Sequence, residues 1–205
     1  MASCTQCGSY TKFEGGLCYD CYKKSKAPSN TVVAEIDIEE GLSEKEHEYR
    51  YNMIKGRIAE TLIQELFLSM HYNVFRYGME NTIPGIIELL KGVHSDVTNT
   101  IRSMPDFVIQ NPNVSTADVY FIEVKFRASG NFAFKDIRKN YPWVNAYFIV
   151  VSKKHIKCIS YKELKEGKEI TATCHNYLGN RKEFELNKEK IIEFCDFAIM
   201  FFKNV

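Results

Sequence analysis

The chain lacks an excess of charge of either sign: among 205 residues, 27 basic side chains face 26 acidic ones, for a net charge of +1. No global basic field surrounds it, so a nucleic-acid partner would have to be held by local patches. No apolar run is long enough to span a bilayer and no secretory signal is recognisable, which predicts a protein with no membrane partner. The apolar C-terminal run 191–202 is interrupted by Glu193 and Asp196, as suits a packed helix. A Gly-rich phosphate loop and a nucleophile elbow are both missing, which argues against an ATPase or a serine hydrolase. His71, His94, His155 and His175 have no mutual metal-ligand spacing and receive no catalytic role. Internal repeats and low-complexity segments are also absent.

What is present is an ordinary globular composition, 45% hydrophobic and 26% charged, at a length that allows one domain and a small appendage. Seven cysteines make an odd count, and four of them form Cys4-x-x-Cys7, ten intervening residues, then Cys18-x-x-Cys21. That pattern favours metal binding in a reducing compartment over a disulfide framework, so a cytoplasmic protein is expected, in a host cytoplasm if the source is viral. Four thiolates on two knuckles suit tetrahedral Zn²⁺, and Gly8, Gly15 and Gly16 allow the tight turns between them. The segment resembles a short zinc ribbon or zinc knuckle. Its two dozen residues cannot bury enough core alone, so the metal supplies most of its folding energy. Two roles stand side by side: a structural staple, or a module contacting DNA or protein through Tyr19, Tyr22, Lys23, Lys24 and Lys26. Cys158, Cys174 and Cys195 are scattered and read as buried apolar residues. The expected organisation is a zinc module at 1–27, a linker at 28–47 and a larger domain at 48–205.

Within that larger domain, Ile54, Ile58, Leu62, Leu66 and Met70 recur every four residues, which predicts a long helix over about 46–70. Alternation at 32–38 allows a short strand in the linker, and 72–77 reads as another strand. Pro84 fits the first turn of a helix that ends at Gly92. Strands are expected at 107–110, 119–126, 146–151 (a continuous apolar run, read as central) and 156–161. Phe134, Ile137 and Tyr141 lie at helical spacing within 131–141, and 187–202 completes the set as a helix. The polar stretch 162–169 looks like a solvated face. The fold class is α/β with a mixed sheet.

The chemistry is concentrated in Met104-Pro105-Asp106-Phe107-Val108-Ile109 and Tyr120-Phe121-Ile122-Glu123-Val124-Lys125-Phe126. Successive strand side chains alternate faces, so Glu123 and Lys125 share one face while Ile122, Val124 and Phe126 enter a core. Glu-x-Lys occurs three times in this chain, and only this copy lies inside a β-branched and aromatic strand. Ionised groups near apolar surroundings are costly unless paired or bound to metal. Bland readings exist for each: Asp106 as a turn residue, Glu123 and Lys125 as charges on an exposed edge, Glu60 as a surface helix residue.

With Pro105-Asp106 and Glu123-Val124-Lys125, the chain resembles the PD-(D/E)xK nuclease superfamily, also called restriction-endonuclease-like. Glu60, in Gly56-Arg57-Ile58-Ala59-Glu60, fits the acid that members often carry on the preceding helix. The resemblance implies a restriction-endonuclease-like mixed sheet flanked by helices, over residues 48–205, and in-line hydrolysis of phosphodiesters. It implies that Asp106, Glu123 and the Val124 carbonyl hold Mg²⁺ or Mn²⁺, with Glu60 completing the set directly or through water. It makes Lys125 the base or the electrostatic helper. Hard cations take oxygen ligands and activate water, which agrees with that donor set. Arg127, Lys135, Arg138 and Lys139 are the expected nucleic-acid contacts, while Phe132, Phe134, Tyr141 and Trp143 among them read as core. A RecB-like branch is disfavoured because Ile137 holds the position of its Gln, although Tyr141 is present. Cysteines confined to the start disfavour the CRISPR-adaptation branch. Archaeal Holliday-junction resolvases and small viral or restriction nucleases look nearer. The expected function is a metal-dependent DNA endonuclease, with RNA as a further substrate to test and a homodimer carried over from the resemblance. The alternative is a non-catalytic nucleic-acid- or protein-binding adaptor on a nuclease-like scaffold.

Overall fold

The computed structural model describes residues 2–12, 16–26, 42–78, 85–86, 90–113 and 118–204. The chain divides into two compact units, Met1–His47 and Glu48–Val205. The expected strand at 32–38, most of the expected 84–92 helix and Gly15 lie outside the described residues.

In the first unit a two-stranded hairpin, β1 (Ala2–Ser3) and β2 (Tyr10–Thr11), pairs Ala2 with Thr11 and Ser3 with Tyr10. It is followed by helix α1 (Tyr19–Lys26). Gly8, directly after the first cysteine pair, has φ +75°, a left-handed conformation that other residues adopt with strain.

The second unit is mixed α/β, with a five-stranded mixed sheet flanked by helices. Helix α2 (Glu44–Ser69) starts on a capping box in which the Ser43 backbone N–H and hydroxyl donate to Glu46 Oε2 at 3.1 and 2.7 Å. Strand β3 (Asn73–Arg76) follows, then α3 (Asp96–Arg102), capped by Ser95 Oγ, which accepts from the Thr98 N–H at 3.1 Å. Helix α3 carries no apolar stripe in its sequence and is not among the expected elements. Strands β4 (Phe107–Gln110), β5 (Val119–Phe126), β6 (Ala146–Val151) and β7 (Ile156–Ser160) complete the sheet in sequential order. All neighbouring strands are antiparallel except β5 and β6, which are parallel. The centre of the sheet is therefore β5; the apolar β6, read from sequence as central, is interior but one place over. Helices α4 (Tyr161–Lys165) and α5 (Lys188–Phe202) follow.

Each face of the sheet carries its own core. On one face Ala59, Leu62, Ile63, Leu66 and Phe67 of α2, with Ile191, Ala198 and Phe202 of α5, cover Phe107, Ile109, Ile122, Val124 and Ile149. Phe67 is 1% exposed, and truncating such a ring costs about 3–5 kcal/mol. This packing fixes which residues of β5 point away from α2. Of the expected α2 stripe Leu62 and Leu66 are buried, Ile58 and Met70 are partly buried and Ile54 is exposed, because α2 packs on the sheet only along its later turns.

On the other face Phe132, Tyr141, Ala146, Phe148, Val150 and Ile159 form a second core. The segment joining β5 to β6 covers it, and here the predicted helix over 131–141 is corrected. Only a 3₁₀ turn, Phe134–Asp136, forms. Phe132 is pinned in a β-bridge to Ile170, with N–H to carbonyl distances of 2.9 and 2.8 Å, and the Ala133 N–H donates to Asp136 Oδ2 at 2.9 Å. Asn140 adopts φ +58° just ahead of Pro142. Apolar spacing of three or four residues is satisfied by a folded loop as well as by a helix. The 162–169 stretch is likewise not simply a solvated face. It contains α4, whose Leu164 is buried and whose Glu163 closes a capping box on Ser160.

Candidate active site and metal centre

The notch that holds the candidate site arises from where β4 begins. Register pairs Phe107 with Ile122, and continuing it sets Asp106 opposite Glu123 and Pro105 opposite Val124. Proline has no N–H to extend the ladder, so β4 stops while β5 runs on to Phe126. The Val124 N–H is taken instead by the Asp106 carboxylate, with Oδ2 at 2.6 Å. The Asp106 carbonyl accepts from the Tyr77 N–H at 2.9 Å, which ties the turn to the end of β3. The Pro-Asp pair thus ends one strand and presents a carboxylate to the next.

Ile122 and Val124 face the first core, so Glu123 and Lys125 face the opposite way, toward the β5–β6 crossover. Lys125 Nζ donates to Glu123 Oε1 at 2.5 Å, with side chains 32% and 13% exposed respectively. The second oxygen, Glu123 Oε2, is buried and has no hydrogen-bond partner among the described residues. Burial pushes the Asp106 carboxyl well above the usual carboxylate range, and the nearby Glu123 and Glu60 charges push it further; Lys125 and the Val124 N–H pull the other way without prevailing. Burial alone would lower Lys125, yet Glu123 and Asp106 outweigh it and hold the ammonium raised.

A cleft of about 260 Å³ opens beside this pair, lined among others by Arg102, Ser103, Glu123, Lys125, Arg138 and Tyr141. Arg138 donates to Ser103 Oγ at 3.3 Å. Among the described residues the buried Tyr141 hydroxyl makes no hydrogen bond of good geometry, though it lies beside Glu123; burial, with the Glu123 and Asp106 charges, drives its pKa upward. Of the four basic residues expected to hold nucleic acid, Arg138 lines this cleft. Arg127 is half-buried, donates to the Phe126 carbonyl at 3.1 Å and stands 5.8 Å over the Phe132 ring. Lys135 and Lys139 are exposed on the crossover and do not line the cleft. Among the expected core aromatics, Phe132 and Tyr141 are buried while Phe134 is exposed.

Glu60 is half-buried on α2, beside the fully buried Ala59, and its charge acts on Asp106. Among the described residues no third carboxylate converges with Asp106 and Glu123 as closely as the cysteines of the first unit converge. Sequence reasoning missed Arg102 and Ser103 as cleft residues. The signal was the cap residue Ser95, seven positions ahead of Arg102 and hidden in a polar run without an apolar stripe.

The four sulfurs of Cys4, Cys7, Cys18 and Cys21 lie within 4.8 Å of one another. Cys7 and Cys18 are 3.6 Å apart, close to the roughly 3.8 Å edge of a ZnS₄ tetrahedron with bonds of about 2.3 Å. The knuckle turn is closed by the Gly8 N–H donating to the Cys4 carbonyl at 2.9 Å, and Cys21 lies in the first turn of α1. The Cys18 backbone N–H draws the Cys4 thiol down to about 6, while the thiols of Cys7 and its neighbours, with burial, push Cys21 up to about 12. Four sulfurs this close can all ionise only around a cation, so the cluster could hold a metal such as zinc. Of the remaining cysteines, Cys158 is buried and pushed up to about 12 by that burial. Cys195 is half-buried against the first core. Cys174 is half-buried against the second core, and its sulfur also accepts from the Thr171 N–H at 3.3 Å. No helix among the described residues is long and apolar enough to cross a membrane.

No family model matches this chain, and neither the curated proteins nor the solved structures contain a significant match to it.

Proposed function

We propose that the chain is a metal-dependent nuclease of the PD-(D/E)xK type that hydrolyses phosphodiester bonds in DNA. The observation that carries this reading is the β5 notch. A half-buried aspartate and a glutamate with one buried oxygen unpartnered among the described residues stand across from each other, with a lysine on the second acid. Half-buried acids that repel one another suit a hard cation, and two carboxylates with the Val124 carbonyl offer it oxygen donors. Mg²⁺ or Mn²⁺ bound there would polarise the phosphate and lower the pKa of water. Glu60 then acts through water, since it does not converge directly. Lys125, held beside Glu123, places positive charge where the phosphoryl oxygens gain negative charge. Arg138 and Arg102 line the same cleft and hold the phosphates on either side. The order of strands, with the acid–x–lysine strand central and parallel to its successor, supports the restriction-endonuclease-like domain.

The test is cleavage of plasmid, single-stranded and branched DNA, with RNA in parallel, in Mg²⁺ and in Mn²⁺. Wild type is expected to cut, and Asp106→Asn and Lys125→Ala each to lose about a hundredfold or more. Cleavage untouched by both substitutions would overturn the site. A second reading, a binding adaptor, is favoured by one observation. Exposed Tyr10, Tyr19 and Tyr22 surround a concavity of the first unit beside Lys12. Tight binding without cleavage in either metal would select it.

A further inference from the structure

An apolar groove of about 520 Å³ runs between α2 and α5 on the second unit, and none of Asp106, Glu123 and Lys125 lines it. Ile54, Arg57, Thr61 and Glu65 of α2 and Phe197 and Phe201 of α5 line it. The exposed positions of α2 along the groove, and Leu68 just beyond it, follow a symmetric order. Ile54, Arg57, Thr61, Glu65 and Leu68 read apolar, basic, small, acidic, apolar, at spacings of 3, 4, 4 and 3 residues. At about 100° per residue all five fall within about 40° of Thr61 around the helix axis, so they form one stripe about 21 Å long.

A helix bearing such a stripe is complementary to its own antiparallel copy. A two-fold axis through Thr61 sets Arg57 of one chain against Glu65 of the partner subunit, and the reverse pair forms on the other side. Ile54 meets Leu68 of the partner subunit at both ends. Thr61, small at the centre, lets the two helices approach closely. A two-fold interface requires this exchange, residue i against j and j against i. Ile54 is 55% exposed, Leu68 40%, Phe197 45% and Phe201 58%. Together with the stems of Arg57 and Glu65 they would remove roughly 600 Å² per chain from water, which doubles to about the lower bound of a specific interface. An exposed apolar patch of this size, rimmed by matched charges, marks an interaction surface.

We infer that this face pairs two copies of the chain, α2 against α2 antiparallel about Thr61, in a dimer of micromolar stability. The pairing does not depend on the nuclease reading, and its test needs no activity.

Sedimentation velocity of the full zinc-loaded chain across the micromolar range is expected to show a monomer–dimer equilibrium. Arg57→Glu opposes two carboxylates at each contact, and Glu65→Arg opposes two cations. Each should weaken association at least about tenfold. The double variant Arg57→Glu/Glu65→Arg restores both pairs and should return to within about threefold of wild type. An equimolar mixture of the two single variants should form a heterodimer. Both changed positions are solvent-exposed, and circular dichroism checks that the variants stay folded. A monomer throughout, or single variants that dimerise as wild type does, would overturn the pairing. So would a double variant that stays weak, or a monomer whose groove is protected from hydrogen exchange by another part of the same chain.

Discussion

At the corner between β7 and α4, Glu163 accepts from the Ser160 N–H and hydroxyl, both at 2.9 Å, and from Arg181 Nη2 at 2.7 Å. Arg181 also donates to the Cys158 carbonyl, and nearby Lys157, 3% exposed, donates to the carbonyls of Thr171 and Ala172 at 2.7 and 3.0 Å. The notch at β5 likewise holds acids and a base partly out of water, but among the described residues it leaves Glu123 Oε2 and the Tyr141 hydroxyl without a hydrogen bond of good geometry. The difference separates two uses of buried charge. Where every donor and acceptor is matched, the cluster serves the fold. Where acids are crowded and an oxygen is left over, the fold carries a cost that a bound cation would relieve.

The largest effect expected from this contrast is on the proposed phosphodiester hydrolysis. Lys125→Met and Lys157→Met remove the same charge from neighbouring parts of one sheet. Cleavage in Mg²⁺ should fall about a hundredfold or more for Lys125→Met, and stay within about threefold for Lys157→Met. Lys157→Met should instead lower stability by about 1–3 kcal/mol, because two carbonyls lose a charged donor. Equal losses of cleavage in both variants would erase the distinction between the corners.

A smaller effect, on stability, sharpens the same contrast. Glu163→Ala breaks a largely buried ion pair and a helix cap, and should cost about 3 kcal/mol. Glu123→Gln keeps an acceptor for Lys125 and removes the charge that crowds Asp106. It should leave stability within about 1 kcal/mol of wild type, shifted upward if at all. Urea unfolding at neutral pH in magnesium-free buffer checks both, followed by the fluorescence of Trp143, the single tryptophan, which packs on the second core. A large loss in Glu123→Gln would make the notch structural.

Much of this was readable from residue order, for identifiable reasons. Strands β4 and β5 stand over the residues expected because apolar alternation and flanking turn residues agree there. Glu123 and Lys125 share a face because a strand has period two, and Pro105 marks where the ladder ends. The Cys4 to Cys21 cluster follows from ligand spacing alone. Tyr141, Arg102 and Ser103 were not readable as neighbours of Glu123. They are brought there by the β5–β6 crossover and by α3, and neither has a periodic signature. Asn140 in a left-handed conformation and the Phe132–Ile170 bridge are tertiary facts that override helical spacing. The exposure of Ile54 depends on how far α2 overlaps the sheet, which a repeat of four cannot report.

The smallest effect is the dependence of stability on pH, where the two corners should have opposite signs. Burial raises Glu163, but the hydrogen bonds from Arg181 and Ser160 outweigh it and hold its carboxyl below the ordinary 4.5. Its contribution is therefore present above that value and is lost as pH falls through its folded pKa. Asp106 is raised from the ordinary 3.8, so the folded chain keeps this proton after the unfolded chain has released it. Its contribution is complete below 3.8 and is lost as pH climbs through the raised folded value. One proton gives a slope of at most about 1.4 kcal/mol per pH unit. Unfolding free energy of the magnesium-free chain should thus decline on both sides. Glu163→Gln should remove part of the acid-side loss, and Asp106→Asn should remove the decline on the rising side. Mg²⁺ should also flatten the rising side in wild type, by binding the ionised carboxylate, and leave Asp106→Asn unchanged. A rising-side decline that survives Asp106→Asn would show that the notch carries no proton above the ordinary carboxylate range.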